Sequence, residues 1–535
     1  MLRTLRSLLR LLVIARTLAR HDVLGALEEL RVAPGVLWLI RRVYRRRAEG
    51  LPGDRPGQKL ARAFTDLGPS FIKLGQFLST RADLLGEQLA ADLSDLQDRL
   101  PPFESRAARK TIEAELGRPV SELFRSFDDV PISAASIAQV HLATVAGPEA
   151  GPGAGPGAGP GAGKGGAPDV EVAIKVLRPG IERAFERDLE LLYWVAGLVE
   201  RTQPRLRRFK PVASVRMFED TVRIEMDLRM EAAAATELAE NFADDPSYHV
   251  PSVDWQRTSR RVLTMSRVGG IPLDDRDALL AAGHDLTEVL TKAATIFFTQ
   301  VFRDGFFHGD QHPGNMFVDA QGNIVAVDFG IMGRLDSKTR TFLAEMLLAL
   351  LARDYRRLAE IHFEAGFLPA GQSRDVFAQA LRSVSEPIFD RPLNEISFAR
   401  LLARMLQLSE SFDMPVQPQL LVLQKNMMMA EGVSRRLDPK LNIWTLAEPL
   451  IEAWMIENRG PEARARGAIQ DLGRTLERLP RLVADAESLA SDLAAGGLRL
   501  HPDSLKSLGG ETAGRTARWA FWIALLALAV ALLAD

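Results

Sequence analysis

The chain has 535 residues, 47% of them apolar and 25% charged, the balance of a folded protein with room for roughly two to four domains. Its 67 basic and 69 acidic residues leave a net charge of -2, so there is no overall basic field to draw in nucleic acid. The absence of cysteine excludes disulfides, thiolate metal sites and a cysteine nucleophile, suits a reducing compartment, and leaves any chemistry to Asp, Glu, Lys, His or Asn.

Residues 1–50 are rich in arginine and nearly free of acid, with Leu2, Leu5, Leu9, Leu12 and Val13 at helical spacing. That pattern predicts a basic amphipathic helix, either lying on an anionic membrane surface or packed on the folded body. Arg10 and Arg16 interrupt what would be the apolar centre of a signal peptide, and no small-x-small cleavage site follows, which argues against secretion. Residues 57–130 read as helical, broken at Gly68 and Pro69 and closed by Pro101 and Pro102. Two strand-like runs follow, IAQVHLATV and VEVAIKVL, separated by the low-complexity segment GPEAGPGAGPGAGPGAGKGGAP at 147–168. Recurrent Gly and Pro deny that segment both helix and ladder, so it is expected to be a flexible loop. A phosphate-loop reading of its GAGKGG fails, because Walker spacing needs glycine where Ala158 stands and Ser or Thr where Gly165 stands.

Residues 181–202 and 212–241 predict helices, and RVLTMSRVGGIPL predicts a strand running into a turn. The later chain is mostly helical except at GFFHGDQHPGNMFVDAQGNIVAVDFGIMGRL, where short strands flank a polar loop with charges at their ends. The final apolar run, Trp519 to Ala534, carries no charge, with Trp519 and Trp522 placed as interfacial anchors and Arg515 and Arg518 before them. At about 1.5 Å per residue it is slightly shorter than a ~30 Å hydrocarbon core. A locally thinned bilayer accommodates that length, and the flanking arginines keep the main body on the cytoplasmic side. A membrane anchor is therefore expected at 516–535, with a buried core helix as the alternative.

Four pieces carry the chemistry. Lys175 ends the alternating strand VEVAIK, and Glu231 on a helix is suited to hold it by an ion pair. In HGDQHPGN, Asp310 and Asn315 have the spacing of a kinase catalytic loop, which aims a carboxylate at an attacking hydroxyl or water and an amide oxygen at a metal. Asp328 opens a DFG after a strand, where a hard oxygen ligand suits Mg²⁺ beside phosphates. Singly, a surface lysine, a solvated helix glutamate or a lone DFG means little; in this order they predict a kinase-like nucleotide site. His308 and His312 read as structural supports of the loop rather than transition-metal ligands. The related HGD loop of small-molecule phosphotransferases is the alternative, and it changes the acceptor but not the nucleotide site.

With these motifs the chain resembles the UbiB family of atypical kinases, the ubiquinone-biosynthesis accessory proteins that include the mitochondrial ADCK proteins. The resemblance runs from about residue 57 to 335 and more loosely to 460. Its KxGQ signature is KLGQ, Lys73 to Gln76, and its ExD motif is Glu225 to Asp227. Its alanine-rich loop is AASIAQVH, so Ala134, Ala135, Ser136, Ile137 and Ala138 join Lys175 and Glu231 as nucleotide-binding candidates. Three features depart from the family pattern. The loop more usually reads HADPHPGN, so Gly309 and Gln311 differ; Ser266 stands where an acidic residue is expected; and the Gly-Pro insertion is peculiar to this chain.

The resemblance implies an α+β, bilobal protein-kinase-like fold with a helical N-terminal KxGQ extension and a C-terminal transmembrane helix. The segments expected are 1–50 basic amphipathic, 51–130 KxGQ extension, 131–265 N-lobe, 266–440 C-lobe, 441–515 helical and 516–535 anchor. It further implies ATP and Mg²⁺ as cofactors, with Lys175 pairing phosphates, Asp310 as base, and Asn315 and Asp328 as metal ligands. Lys73, Gln76, Glu225 and Asp227 would be regulatory, Glu225 holding Lys73 as Glu231 holds Lys175. The expected activity is ATP hydrolysis or phosphoryl transfer in support of isoprenoid-quinone synthesis at the inner membrane. Lipid or quinone precursors and quinone-biosynthesis enzymes are the expected partners, with oligomers possible through the C-terminal helix. The alternatives are a phosphotransferase for protein or small-molecule hydroxyls and a nucleotide-gated scaffold without catalysis.

Overall fold

A computed structural model describes residues 2–23, 54–79, 87–94, 96, 100–146, 169–202, 207, 210–369, 371–389, 404–405, 408, 411–412, 414, 418–438, 449 and 451–456. The Gly-Pro segment and the apolar run from Trp519 to Ala534 lie outside the described residues. Among the described residues no helix is long and apolar enough to cross a membrane.

Helix α1 (Leu2–Arg20) is the expected basic helix. From residue 10 onward it is packed on the body: Arg10 donates to both oxygens of the buried Asp188 (2.8 and 2.9 Å) and lies over the Phe71 ring. Leu12 and Val13, expected on its apolar face, are exposed. Helices α2 (Pro56–Leu67) and α3 (Pro69–Ser79) form the KxGQ hairpin, with α4 (Glu87–Ser94) against both. Phe64, Leu67, Phe71, Ile72, Leu93 and Leu96 make its apolar core. Gly75, the glycine of KLGQ, is fixed by this packing, since a Cβ there would lie 2.8 Å from the Phe64 ring.

Helix α5 (Ser105–Leu116) is followed by strand β1 (Ser126–Phe127), so the stretch expected to be helical to residue 130 ends by joining a sheet. Two residues of strand are too short to announce themselves by alternation. With β2 (Ser133–Ala134), β3 (Ala138–Val145), β4 (Val170–Leu177) and β6 (Val262–Ser266) this strand builds an antiparallel five-stranded sheet. On β4, Val172, Ile174 and Val176 are buried in one apolar cluster with Ala108 and Ile112 of α5. The period of two therefore turns Lys175 to the opposite face, toward the cleft.

Helix α6 (Ile181–Thr202) lies beside α7 (Pro211–Glu225), and α8 (Leu228–Asn241) follows. The single helix expected over 212–241 is thus two, because Asp227 caps the second by accepting from Arg229 N–H at 3.2 Å. A short carboxylate side chain competes with helix continuation by satisfying the first turn of the next helix.

The second sheet orders β5 (Tyr248–His249), β10 (Ile324–Ala326), β9 (Met316–Val318) and β7 (Ile271–Pro272). Strand β5 comes before β6 in the chain yet pairs in this second sheet. A ribbon of β8 (Phe306–His308) with β11 (Met332–Arg334) holds the two ends of the polar loop together. Helices α9 (Leu286–Phe298), α10 (Ser337–Leu351), α11 (Tyr355–Glu364), α12 (Arg374–Phe389) and α13 (Pro418–Leu437) make up most of the later part of the described body. The mixture of helices and strands in two lobes is the α+β kinase-like arrangement.

Candidate active site

Lys175 crosses from the first lobe to the second. Its Nζ donates to Glu231 Oε1 and Oε2 (2.8 and 3.0 Å) and to Asp328 Oδ1 (2.8 Å). Glu231 is in the first turn of α8 and only 5% exposed, whereas the Asp328 side chain is 48% exposed to the cleft. Asp328 has φ 64°, a left-handed conformation unusual for a non-glycine residue and typical of backbone held under strain at functional positions.

Two carboxylates share one ammonium, and burial decides how they divide it. Burial, with the Asp328 charge adding to it, pushes Glu231 up to about 7 against the pull of Lys175. Around Asp328 the crowding of protein also opposes ionisation, but Lys175 and then Lys73 outweigh it and hold that carboxyl well below the ordinary range. Burial works against the charge of Lys175 as well, yet Asp328 and Glu231 keep its pKa above that of an ordinary lysine. Asp328 thus stays ionised toward the open cleft, the state a hard cation requires.

The polar loop is pinned from several sides. His308 is fully buried; its backbone N–H donates to Gln300 Oε1 (3.0 Å), from the π-helical turn after α9. Its Nδ1 accepts from Asp310 N–H (3.1 Å), so the proton sits on Nε2, which donates to the Val327 carbonyl (3.2 Å). Burial pushes its pKa down, and this neutral ring supports the loop. His312 Nδ1 likewise accepts from Gly314 N–H at 3.1 Å. Asn315 Nδ2 donates to the Asp310 carbonyl (3.1 Å), and its own carbonyl accepts from Val327 N–H (2.9 Å), beside Asp328. That leaves the Asn315 side-chain oxygen and the Asp328 carboxylate as hard donors, a set that fits Mg²⁺ with phosphate and water oxygens completing the shell.

Sequence reasoning missed Lys425. It reaches from α13 to Asp310 Oδ1 at 2.8 Å, while the next residue, Asn426, donates to the His308 carbonyl and accepts from Gln311 N–H. Gly309 also finds its reason here: a Cβ would lie 2.9 Å from the Ile331 carbonyl oxygen and 3.1 Å from Val422 on α13. Ile331 and Val422 fill the space an alanine would need.

Lys73 Nζ lies 2.8 Å from Glu225 Oε2, at the end of α7, with the two side chains 11% and 9% exposed. Distance is met but hydrogen-bond alignment is not, so this is an ion pair. Asp227 does not join it; besides capping α8, that carboxylate binds the Arg229 guanidinium (2.9 Å to Nε), which holds its pKa low. Gln76 lies half-buried on the same helix as Lys73.

The alanine loop closes by Ala135 N–H donating to the Ala138 carbonyl (2.8 Å), without any residue at positive φ. Arg178 holds the Ser136 and Ala135 carbonyls (both 3.2 Å). Ser136, Ile137 and Ala138 are buried, the last two in a cluster onto which Leu74 and Phe77 of the KxGQ helix pack. Ala134 and Ala135 are the half-open residues of the five. Ser266, at the end of β6, accepts from Ser252 N–H with its hydroxyl at 2.9 Å.

An ABC1 atypical kinase-like domain matches residues 95–150 and 165–362, and a UbiB helical domain matches 381–442. A protein of Marinobacter nauticus called probable protein kinase UbiB is 43% identical over 80% of this chain and 76% of its own length. Another of that name, from Xanthomonas euvesicatoria pv. vesicatoria, is 41% identical over 91% of this chain and 84% of its own. A solved complex of Rv3197 with erythromycin, from Mycobacterium tuberculosis, covers 72% of this chain and 94% of that one at 23% identity and a TM-score of 0.43.

Proposed function

The chain belongs to the ABC1/UbiB family of atypical kinases, and on that footing we propose that it binds ATP with Mg²⁺ in the Lys175 cleft and cleaves the terminal phosphoryl group. The observation carrying this reading is the bridge from Lys175 to Glu231 and Asp328, which ties the two lobes together through one ammonium. Lys175 binds phosphate oxygens, and Glu231 keeps it aimed. Asn315 and Asp328 would hold Mg²⁺, which when bound neutralises phosphate charge. Asp310 accepts the proton of an attacking water or hydroxyl as the new oxygen–phosphorus bond forms, and the bond to the leaving ADP breaks.

The Lys73–Glu225 pair and the pull of Lys73 on the Asp328 carboxylate support a reading in which α3 borders the phosphate side of the cleft, where a soluble peptide acceptor would need room. This favours ATP hydrolysis, or transfer to a small lipid-side acceptor, over phosphorylation of soluble proteins. The arginine-rich start and the apolar run at Trp519 to Ala534 support a role at the cytoplasmic face of a membrane, beside isoprenoid-quinone precursors and the enzymes that modify them.

Purified protein with labelled ATP tests the chemistry: Mg²⁺-dependent phosphate release that is lost in Lys175→Met supports it. Efficient transfer to a soluble peptide favours the phosphotransferase reading instead. An Asp310→Asn strain of normal phenotype, with Lys175 and Asp328 variants still impaired in ATP binding, favours a scaffold. Quinone profiling of a deletion strain complemented by wild type or Asp328→Ala tests the pathway, and unchanged quinone in the deletion removes it.

A further inference from the structure

The catalytic loop HGDQHPGN contains no lysine or arginine, and its buried His308 is kept neutral. Phosphoryl transfer needs fixed positive charge near the transferred group, because negative charge spreads over its oxygens in the transition state. Lys175 and Lys73 stand at the Asp328 side of the cleft. On the Asp310 side, among the described residues, a cation is supplied by Lys425, brought in from α13, 115 residues further along the chain.

Its placement is enforced rather than that of a loose surface lysine. Asn426 is fully buried, and its amide holds the His308 carbonyl (2.5 Å) and the Gln311 N–H (3.3 Å), one on each side of Asp310. Val422, one turn earlier, abuts Gly309. Further along, Val433 and Leu437 are buried in the apolar cluster that includes Phe306 and Phe329. Helix α13 is therefore anchored on both sides of Lys425. The Lys425 and Asp310 side chains are themselves 27% and 29% exposed, open to the cleft. Lys425 holds Oδ1, and among the described residues Asn315 Nδ2 donates to Oδ2 over a long 3.5 Å, which leaves Oδ2 as the oxygen available to receive a proton.

We propose that Lys425 is a positioning residue for phosphoryl transfer: it fixes the Asp310 carboxylate so that Oδ2 faces the attacking oxygen, and it supplies the positive charge the loop lacks. The assignment rests on the ATP-cleaving reading above and makes the helical domain part of the catalytic apparatus. A lysine that only fastened α13 to the loop would affect stability, whereas a positioning lysine affects turnover.

The test is ATPase kinetics of the full chain with wild type, Lys425→Met, Lys425→Gln and Lys425→Arg, alongside thermal unfolding and binding of a fluorescent ATP analogue. Expected is a loss of about tenfold or more in kcat for the Met and Gln variants, with the KM for ATP within about twofold of wild type. The Arg variant, keeping charge but not shape, should recover part of kcat. Analogue binding and melting temperature should stay near wild type in all three. Unchanged kcat in the Met and Gln variants overturns the assignment, as does a loss confined to KM. A drop in melting temperature with kcat per folded molecule preserved also overturns it, making Lys425 a fastener. A wild type that neither binds nor cleaves ATP overturns the reading underneath, and is distinguished by analogue binding.

Discussion

Replacing Lys73 by methionine probes the contact that joins the KxGQ helix to the ExD turn. The ammonium and the Glu225 carboxylate are 2.8 Å apart and about nine-tenths buried. At an effective dielectric constant of about 20 their attraction is about 6 kcal/mol. Desolvating the two ions costs several kcal/mol each, so the pair as a whole contributes little net stability. Removing one partner is different, because the other stays buried and loses the charge 2.8 Å from it. Lys73→Met and Glu225→Met should each destabilise by about 3 kcal/mol, and the double variant by much less than the two together. Urea unfolding of the four proteins yields the coupling, expected at about 3 kcal/mol or more because the double variant loses only a pair of little net worth. A coupling below about 0.5 kcal/mol would mean that Lys73 lies on an ordinary solvated helix face, refuting the buried contact.

Three further outcomes follow from single residues. Glu231 has its pKa raised from 4.5 to about 7, so the folded protein binds its proton more tightly than the unfolded chain. Stability of the nucleotide-free protein should accordingly fall by about 3 kcal/mol at most as pH rises from 4.5 to 7, and Glu231→Gln should flatten that slope in denaturation curves. In Gly75→Ala the added Cβ must displace the Phe64 ring, 2.8 Å away, costing about 1–3 kcal/mol by overpacking, visible as a lowered melting temperature. Gly309→Ala meets the Ile331 carbonyl oxygen at 2.9 Å as well as the Ile331 and Val422 side chains; kcat should fall with the KM for ATP little changed, since the displaced atoms adjoin Asp310.

Much of the site was legible because its residues sit in short motifs whose chemistry fixes their partners. A strand-end lysine and a helix glutamate imply an ion pair, and Lys175 and Glu231 make one at 2.8 Å. Asp227 was harder to interpret: one helix-favouring run hides a break that is signalled only by an aspartate at the start of a new first turn. The alanine loop drew attention to nucleotide contact, yet its motif letters do not say that Ile137 and Ala138 turn inward beneath Leu74 and Phe77. Long-range strand pairing, as of β5 with β10, depends on partners 76 residues apart (Tyr248 with Ile324) and leaves no local signature. Lys425 is the extreme case. It lies in a helix of ordinary composition, and only tertiary packing through Asn426 and Val422 brings it to Asp310.

The central claim is that the cleft between Lys175 and Asp328 takes ATP together with Mg²⁺. Titration calorimetry of ATP into the full chain, with and without Mg²⁺, for wild type and Asp328→Asn tests it most directly. The wild type should bind ATP at least about tenfold tighter with Mg²⁺, a gain of about 1.4 kcal/mol that Asp328→Asn should lose. Absence of ATP binding in the wild type, or an equal Mg²⁺ effect in Asp328→Asn, would contradict the account.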